Sequence, residues 1–477
     1  MAGIAGIDCD GKQEQVAQML ERIGHRGEAG FKIVENHGAT LGAVWPEAQV
    51  VPTSPKLQQQ AAWDGRHPPL PDPAALDQEQ EPFALAAATP DGLFLARDPL
   101  GVRPLYYGRT DDGALCFASE VKALMEVTED VQEFPPGACY DDQKGLQVFS
   151  EVEMRPALRQ SDSQVASELR LRLERAVCKR VDSEVMGCWL SGGLDSSAVA
   201  ALAHPHVREL HTFSAGLLGA PDLEFAGRVA EFLDSKHHEV YVTLDDILAA
   251  LPEVIYHLES FDALLVRSSV TNYLVAQRAA DYVESVLSGE GADELFAGYA
   301  YLEEVECGQL PDELVDITHR LHNTALQRVD RSASAHGLVA HVPFLDLDMV
   351  DYAMHIPASL KLRHEKRMIE KWILRRALID VLPSKVLWRR KAKFWQGAGV
   401  GDLLAQYADE RIADDEFRRE RTLSNGWVLN TKEELLYYRI FGRHFGELSN
   451  LSWMGRTKGT PRHQTGLQRK WLGERRV

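Results

Sequence analysis

A loop rich in glycine and serine stands where a buried strand would lead into a helix. Residues 191–197 read Ser-Gly-Gly-Leu-Asp-Ser-Ser, between the apolar run 185–190 and the helix-forming run 198–202. Glycines let a backbone approach a polyphosphate closely, while serine hydroxyls and the N–H groups of a helix N-terminus donate hydrogen bonds to anions. This segment therefore predicts a phosphate-binding loop.

Asp195 adds a carboxylate to the start of the predicted helix. Mg²⁺ prefers hard oxygen ligands of this kind, and a bound Mg²⁺ would neutralise the charge that develops on pyrophosphate. The structural alternative is a glycine turn that only caps a buried strand. The length of the motif and its position between a strand and a helix favour the phosphate site.

A second acidic segment follows further along the chain. Residues 287–299 read Leu-Ser-Gly-Glu-Gly-Ala-Asp-Glu-Leu-Phe-Ala-Gly-Tyr. By themselves, Glu290, Asp293 and Glu294 could simply favour the N-terminus of a helix. A second carboxylate opposite Asp195 nevertheless makes chemical sense, because Mg²⁺ is commonly held by one or two carboxylates plus phosphate oxygens.

Both segments resemble signatures of the asparagine synthetase family. Residues 191–197 are similar to the pyrophosphate loop of enzymes that adenylate a carboxylate, among them asparagine synthetases, β-lactam synthetases and lasso-peptide cyclases. Residues 287–299 resemble the second asparagine synthetase signature almost residue for residue. The resemblance implies ATP and Mg²⁺ as cofactors, Asp195 and Asp293 as Mg²⁺ ligands, and Glu290 at the reaction centre. The nucleotide pocket that it implies consists of Leu190, Ser191, Gly192, Gly193, Asp195, Ser196, Ala215, Ser288 and Gly289.

Further matches extend the resemblance over nearly the whole chain, at residues 256–259, 266–269, 328–331 and 341–346. Segment 388–394 resembles the family element whose lysine, here Lys391, reaches the transition state and would stabilise negative charge there. By composition alone, the same segment is a basic surface run. Arg267 could hold a substrate carboxylate through bidentate hydrogen bonds, or it could form a structural ion pair with Glu259 or Asp262.

The N-terminal part resembles class II glutamine amidotransferases at residues 1–6, 25–27, 96–101, 104–108 and 117–120. Active members carry a nucleophilic cysteine where this chain has Ala2. Their asparagine–glycine oxyanion hole is here Asp64-Gly65, and a carboxylate offers only acceptors to an oxyanion. The family's arginine segment is here 40–43, without arginine, although Asp98 matches the residue that grips glutamine's amino group. We predict an inactive glutaminase-like domain that serves as a structural partner.

The pattern of apolar runs indicates which elements position these residues. Short runs at 93–96 and 105–107, between turn residues, favour sheet before about residue 150. A helical period follows through Leu169, Leu173 and Val177, and the compact runs 185–190, 210–213, 239–242 and 285–287 then alternate with helical patterns. This alternation predicts a doubly wound parallel sheet, with a mainly helical region beyond about residue 310.

We therefore expect an α/β protein with two domains and a tail. The resemblance implies an Ntn-type αββα sandwich at 1–155 and a parallel-sheet ATP-pyrophosphatase domain with a helical C-terminal part at 160–455. A basic tail occupies 456–477 and is either a solvated segment or a flap over an anionic active site.

Composition narrows the classes of partner. The 477 residues include 52 basic and 71 acidic side chains, and the net charge of −19 repels nucleic acid and anionic membranes. Six widely spaced cysteines without a Cys-x-x-Cys pair suggest neither a zinc site nor a disulfide framework. Without a long apolar stretch or a basic N-terminal leader, we expect a cytoplasmic protein with no membrane or nucleic-acid partner.

The expected reaction is asparagine synthesis. The chain would form a β-aspartyl-AMP intermediate from aspartate and ATP, and ammonia would displace AMP, with pyrophosphate as the other product. Another carboxylate and another amine are the open alternative, as in an amide ligase or cyclase of the β-lactam synthetase type. A catalytically silent nucleotide-binding scaffold is the third reading. The resemblance also suggests a homodimer, and a separate glutaminase could supply ammonia.

Overall fold

The computed structural model describes residues 2–27, 30–45, 61–365, 367–389, 398–399 and 403–458. The N-terminal part of the chain forms two antiparallel β-sheets. In spatial order, the strands of the first sheet are Phe31–Asn36, Ala39–Val44, Gly3–Ile7, Leu115–Ala118, Tyr106–Arg109 and Gln132–Glu133. Those of the second are Gly145–Val148, Ala138–Asp141, Gly92–Arg97, Phe83–Thr89 and Ala61–Gly65.

Apolar side chains that alternate between the two faces of a strand explain why the two sheets stack. In Phe83–Thr89, Ala84, Ala86 and Ala88 share one apolar cluster with Ile4 of the first sheet, whereas the residues between them join a cluster on the opposite face. Successive strand side chains point to opposite faces, so one strand serves two layers. The helix Gln13–Arg22 covers the outer face of the first sheet, and the short helix Pro73–Asp77 lies on the outer face of the second. This arrangement agrees with the expected layered α/β class.

The second half of the chain is built on a five-stranded parallel sheet. Its strands lie in the order Lys236–Tyr241, Glu209–Gly216, Val185–Trp189, Ser285–Leu287 and Val339–His341. The strand that comes first in the sequence therefore lies in the middle, and the chain winds outward from it in both directions. Ligands of such sheets bind outside the carboxyl ends of the strands, at the point where the strand order reverses. The predicted doubly wound parallel sheet is confirmed.

Two strands differ from the sequence prediction. The edge strand begins at Lys236, three residues before the predicted run 239–242, because its polar first half lies on a partly exposed edge and shows no apolar pattern. The strand Val339–His341 was not predicted as a strand. Its residues, Val-Ala-His, do not form a compact apolar run, and pairing with Ser285–Leu287 defines this strand instead.

Helices surround the parallel sheet and make up most of the C-terminal part. The first, Asp162–Arg180, begins at a capping box in which Ser161 and Gln164 satisfy each other's backbone N–H groups. No helix in the described ranges combines the length and the apolar character needed to cross a membrane. The other α-helices of the chain in the described ranges are Val121–Leu124, Leu194–Ala203, Pro221–Leu233, Leu244–Leu258, Ala263–Ala280, Ala292–Phe296, Leu310–His319, Ala325–Ser334, Leu347–His355, Ala358–Lys361, Trp372–Ala377, Ser384–Leu387, Leu403–Arg411, Asp414–Glu420 and Lys432–Phe445.

The end of the described chain packs against the C-terminal part. Arg456 forms an ion pair with Glu434, and the Thr457 hydroxyl donates a hydrogen bond to Asp262 at 2.8 Å. Lys458 contacts Glu313 at 2.8 Å. The first three residues of the predicted tail are therefore held on the protein surface, and its other basic residues lie outside the described ranges. We keep the predicted domain boundaries as a proposal, supported by the interval between the strand ending at Val148 and the helix beginning at Asp162.

A buried group of charged residues joins the N-terminal part to the C-terminal part. We call it the interdomain charge cluster; its members are Arg26, Glu120, Lys122, Glu259, Asp330 and Arg331, each at most 5% exposed. Arg26 contacts Glu120 and Asp330, and Lys122 contacts Glu120 and Glu259. Arg331 lies 3.1 Å from Glu259, 2.9 Å from Asp330 and 3.4 Å from Glu120. Three cations and three anions thus compensate one another away from water.

Candidate active site

The predicted phosphate loop lies between the strand Val185–Trp189 and the helix Leu194–Ala203. Gly192 has φ +65°, and a Cβ at this position would lie 2.5 Å from the Phe225 carbonyl carbon, so only glycine fits here. The Ser191 N–H donates to the Ser196 hydroxyl at 3.2 Å, and the Gly193 N–H donates to the Ser191 hydroxyl at 3.3 Å. The loop is thus pre-shaped by its own serines at the N-terminus of a ten-residue helix.

The second predicted loop lies directly beside the first. It follows the strand Ser285–Leu287, and the Ser288 N–H donates to the His341 carbonyl at 2.8 Å. A Cβ on Gly289 would lie 2.8 Å from the Ser196 backbone nitrogen and 2.9 Å from the Asp195 carbonyl carbon. Glycine at 289 therefore allows the two loops to touch at the reversal of strand order.

One cleft at this point contains most of the residues predicted from the sequence. Gly192 is buried behind the loop, against Phe225, rather than in the cleft wall. The predicted residues that line the cleft are Leu190, Ser191, Gly193, Asp195, Ser196, Ala215, Ser288, Gly289, Glu290 and Asp293.

Lys371 lies between the two carboxylates proposed to hold a metal. Its ammonium nitrogen Nζ is 2.6 Å from Asp195 Oδ2 and also contacts Asp293 Oδ1. Its side chain is only 2% exposed. Sequence reasoning missed Lys371, because a single lysine about 80 residues from Asp293 belongs to no recognisable spacing pattern.

Glu290 also has a cationic partner that sequence reasoning did not assign. Arg328, on the helix Ala325–Ser334, forms an ion pair with Glu290. The neighbouring Glu294 is deeply buried and accepts a hydrogen bond from the Tyr299 hydroxyl. Burial, together with the charges of Asp293 and Glu290, raises the pKa of Glu294 to about 7. The acidic loop therefore combines carboxylates with different environments within a few residues.

The segment that leads to Lys391 is tied to the phosphate loop. Arg389 lines the cleft, donates to the Ser191 carbonyl at 3.2 Å and pairs with Asp222. Arg375 donates to the Arg389 carbonyl at 3.1 Å. Lys391 itself lies outside the described residues, so its role stays a prediction. Arg389, at least, contributes to the cleft wall rather than to a free basic surface.

The arrangement fits Mg²⁺. Asp195 and Asp293 supply hard oxygen donors, and both already contact one cation, the Lys371 ammonium, which shows that the position between them accepts positive charge. Within the described ranges, no three His, Cys, Asp or Glu side chains are grouped to hold a metal on their own. Two carboxylates would therefore need phosphate oxygens to complete the coordination of Mg²⁺.

Comparison with known proteins identifies the family of this chain. A family model described as asparagine synthase matches residues 168–316 and 308–468, and one described as a glutamine amidotransferase domain matches residues 78–153. The chain belongs to the asparagine synthetase family. Membership supports an enzyme of ATP-dependent carbon–nitrogen ligation in general terms.

Individual relatives show the extent of the likeness. The probable glutamine-hydrolysing asparagine synthetase of Dictyostelium discoideum is 36% identical over 380 residues, covering 72% of this chain and 68% of that protein. Glutamine-hydrolysing asparagine synthetase 1 of Arabidopsis thaliana is 36% identical over 390 residues, covering 77% and 66%. This chain thus spans about two thirds of the length of these relatives. Among solved structures, NMN synthetase from Francisella tularensis matches with 14% identity and a TM-score of 0.25, covering 61% of this chain and 98% of that one.

Arg267 of this asparagine synthetase family member is engaged elsewhere. Its guanidinium Nε lies 2.6 Å from Glu433 Oε1, with a second contact to the same carboxylate. The partner is thus Glu433 rather than Glu259 or Asp262. Arg267 is absent from the described wall of the cleft, and its role in substrate binding stays a prediction.

Internal contacts hold Asp64, one of the residues predicted to form a remnant glutamine site. Asp64, next to Gly65 at the end of the strand Ala61–Gly65, is 1% exposed and accepts a hydrogen bond from the Ala2 N–H at 3.0 Å. Its carboxylate also lies 4.0 Å from Arg26 and 3.8 Å from Arg103. The carboxylate at the expected oxyanion position is thus held among cations of the protein itself.

Asp98 is likewise engaged with its own loop. Its carboxylate accepts hydrogen bonds from the backbone N–H groups of Leu100, Val102 and Arg103 at 3.0 to 3.1 Å. Burial raises the pKa of Asp98 above its ordinary value, although these N–H groups oppose the shift. The contacts give Asp98 a structural role in shaping residues 98–103.

Proposed function

We propose that this chain makes asparagine from aspartate, ATP and ammonia, and that it does not hydrolyse glutamine. One observation supports the ligase half of the proposal most strongly. The phosphate loop, the pair Asp195 and Asp293, and the acidic loop with Glu290 meet in a single cleft where the strand order reverses. These are the groups needed to bind a nucleoside triphosphate and to catalyse a reaction at its phosphates.

The first step would join aspartate to the nucleotide. A side-chain carboxylate oxygen attacks the α-phosphorus of ATP, the bond between the α-phosphorus and the bridging oxygen breaks, and pyrophosphate leaves with that oxygen. Ser191, Ser196 and the helix N-terminus would bind the phosphates, while Asp195 and Asp293 would hold Mg²⁺. When bound, Mg²⁺ supplies positive charge that stabilises the departing pyrophosphate.

The second step would form the amide. The ammonia nitrogen attacks the acyl carbon, AMP leaves as the acyl–oxygen bond breaks, and the attacking nitrogen loses a proton. Glu290, held by Arg328, is a carboxylate in the cleft that could accept this proton. Few other acid–base groups are needed, because holding two reactants in line can by itself lower a barrier by about 7 to 11 kcal/mol.

The proposal is tested by comparing nitrogen donors. Purified protein with ATP, Mg²⁺ and aspartate should release pyrophosphate and form asparagine when ammonium is added, with asparagine identified by mass spectrometry. Glutamine in place of ammonium should give no asparagine. Product formation with glutamine would contradict the inactive-glutaminase half of the proposal. Absence of product with either donor would contradict the ligase half and would require a screen of other carboxylates and amines.

Restoring the nucleophile alone should not restore glutaminase activity. We expect Ala2→Cys to form no measurable glutamate from glutamine, because the Asp64 carboxylate cannot donate a hydrogen bond to an oxyanion. Loss of a single oxyanion donor costs about 10² to 10³-fold in rate. The matched variant combines Ala2→Cys with Asp64→Asn and restores a donor while leaving residues 40–43 unchanged. If Ala2→Cys alone produced glutamate as fast as the double variant does, Asp64 would not be the residue that prevents glutamine hydrolysis.

A further inference from the structure

Among the described charged residues of the cleft wall, Lys371 is the most deeply buried. Its side chain is 2% exposed, whereas those of Asp195 and Asp293 are 12% and 14% exposed. Its ammonium contacts both carboxylates at once. The two side chains proposed to bind Mg²⁺ are therefore already bridged by a cation of the protein itself.

We propose that Lys371 is an internal counter-ion of the metal site. In the nucleotide-free protein it holds Asp195 and Asp293 together and disfavours Mg²⁺ binding, until the phosphates of a nucleotide offer the ammonium another anionic partner. The inference rests on the proposed function of the cleft as an ATP site. It adds an order to that function: Mg²⁺ binds together with the nucleotide rather than before it.

Electrostatics gives the reason for this order. Two carboxylates that contact the same buried ammonium lie close enough to repel each other, and the Lys371 ammonium compensates that repulsion. Mg²⁺ arriving alone would have to displace the ammonium and leave it buried beside a divalent cation, without a compensating anion. A triphosphate adds several negative charges to the same space. Metal and nucleotide binding should therefore be positively coupled.

The backbone keeps the lysine in place. Lys371 has φ +56°, its N–H donates to the Phe296 carbonyl at 3.2 Å, and its carbonyl accepts from the Arg375 N–H at 2.9 Å. A Cβ on Gly298 would lie 2.1 Å from Lys371 Cε and 1.9 Å from Asp293 Oδ1. Glycine at 298 thus leaves the space through which the lysine stem reaches the carboxylates.

Thermal unfolding of the nucleotide-free, full-length protein tests the proposal without any measurement of activity. Wild type should have the same Tm with and without Mg²⁺. Lys371→Met keeps a long unbranched side chain but removes the charge; its Tm should be lower than that of wild type and should rise by about 2 to 4 °C when Mg²⁺ is added. Lys371→Arg retains a cation and should behave as wild type does towards Mg²⁺.

Lys179→Met is the matched control. It removes an ammonium that lies 3.0 Å from Asp346, a residue absent from the described cleft wall, so it should gain no response to Mg²⁺. The proposal is overturned if Mg²⁺ alone stabilises wild type as much as Lys371→Met, or if folded Lys371→Met shows no response. If Lys371→Met does not fold, the Tm of wild type still tests the proposal. A rise in that Tm with Mg²⁺ alone overturns the proposal, and a constant Tm supports it.

A further experiment distinguishes a failure of this inference from a failure of the proposed function. ATP with Mg²⁺ should raise the Tm of wild type, whether or not aspartate is the correct substrate. A missing response to both together contradicts the nucleotide site, and with it the basis for the role of Lys371. A normal response combined with failure to make asparagine contradicts only the proposed substrates and leaves the counter-ion inference standing.

Discussion

Asp195→Asn is expected to lower the rate of ATP-dependent pyrophosphate release by about 10² to 10³-fold, the loss typical of removing one preorganised electrostatic group. An amide is a neutral ligand, so Mg²⁺ would lose one of its two proposed carboxylate ligands. The substitution also removes one of the two carboxylates that contact Lys371. The rate would be measured with ATP, aspartate and ammonium, and the Tm of the variant would be recorded alongside.

Two further variants define what this result means. Asp293→Asn should cause a loss of similar size, because its carboxylate contacts the same ammonium from the other loop. Asp245→Asn, an exposed substitution in the first turn of the helix Leu244–Leu258, should leave the rate unchanged. A wild-type rate in folded Asp195→Asn would show that this carboxylate does not act in the chemistry.

The second large effect concerns stability, and it lies in the interdomain charge cluster. Arg331→Met should lower the free energy of unfolding by about 3 to 5 kcal/mol, the usual result of removing one partner from a buried ionic group. Arg331 is 1% exposed and contacts Glu120, Glu259 and Asp330. Without it, three buried carboxylates share two cations. Urea denaturation, followed by tryptophan fluorescence and by circular dichroism, would measure the change.

Arg155→Met provides the comparison. Arg155 is exposed and forms an ion pair with Asp351 at 3.1 Å, so its loss should cost no more than about 1 kcal/mol. If the two substitutions lowered the free energy of unfolding equally, the interdomain charge cluster would not be what holds the two parts of the protein together.

The cluster also indicates a structural role for the N-terminal part, which we propose to be inactive as a glutaminase. Burial alone would raise the pKa of Glu120, but Lys122, Arg26 and Arg331 outweigh it and hold that pKa well below its ordinary range. Asp330 and Arg331 lie on the helix Ala325–Ser334, which also carries Arg328, the partner of Glu290. Through Arg26 and Glu120, the N-terminal part thus supports the helix that positions a proposed catalytic carboxylate. We infer that its present role is structural.

The local elements of the site could be predicted from the sequence because their residues are contiguous. The strand, the glycine-rich loop and the helix that contain Ser191, Gly192 and Asp195 follow one another within 20 residues, and short-range geometry alone determines how they are connected. The same is true of the acidic loop around Glu290. The alternation of strands and helices further determined the parallel sheet, and a parallel sheet brings both loops to its carboxyl edge. The prediction that glutaminase chemistry is lost likewise depends on the residue identities at Ala2 and Asp64, and it stays a prediction.

Only the tertiary structure decided which distant charges meet. Lys371 reaches Asp195 across 176 positions, and Arg26 reaches Asp330 across 304. Arg267 pairs with Glu433 instead of the two carboxylates that lie near it in the sequence. Each is one of 52 basic residues, and the short motifs that contain Arg26 and Arg267 do not reveal their partners. A long side chain takes its partner from whichever elements pack against it, and the energy of a buried ion pair depends on separation and exposure, quantities that exist only after the chain has folded.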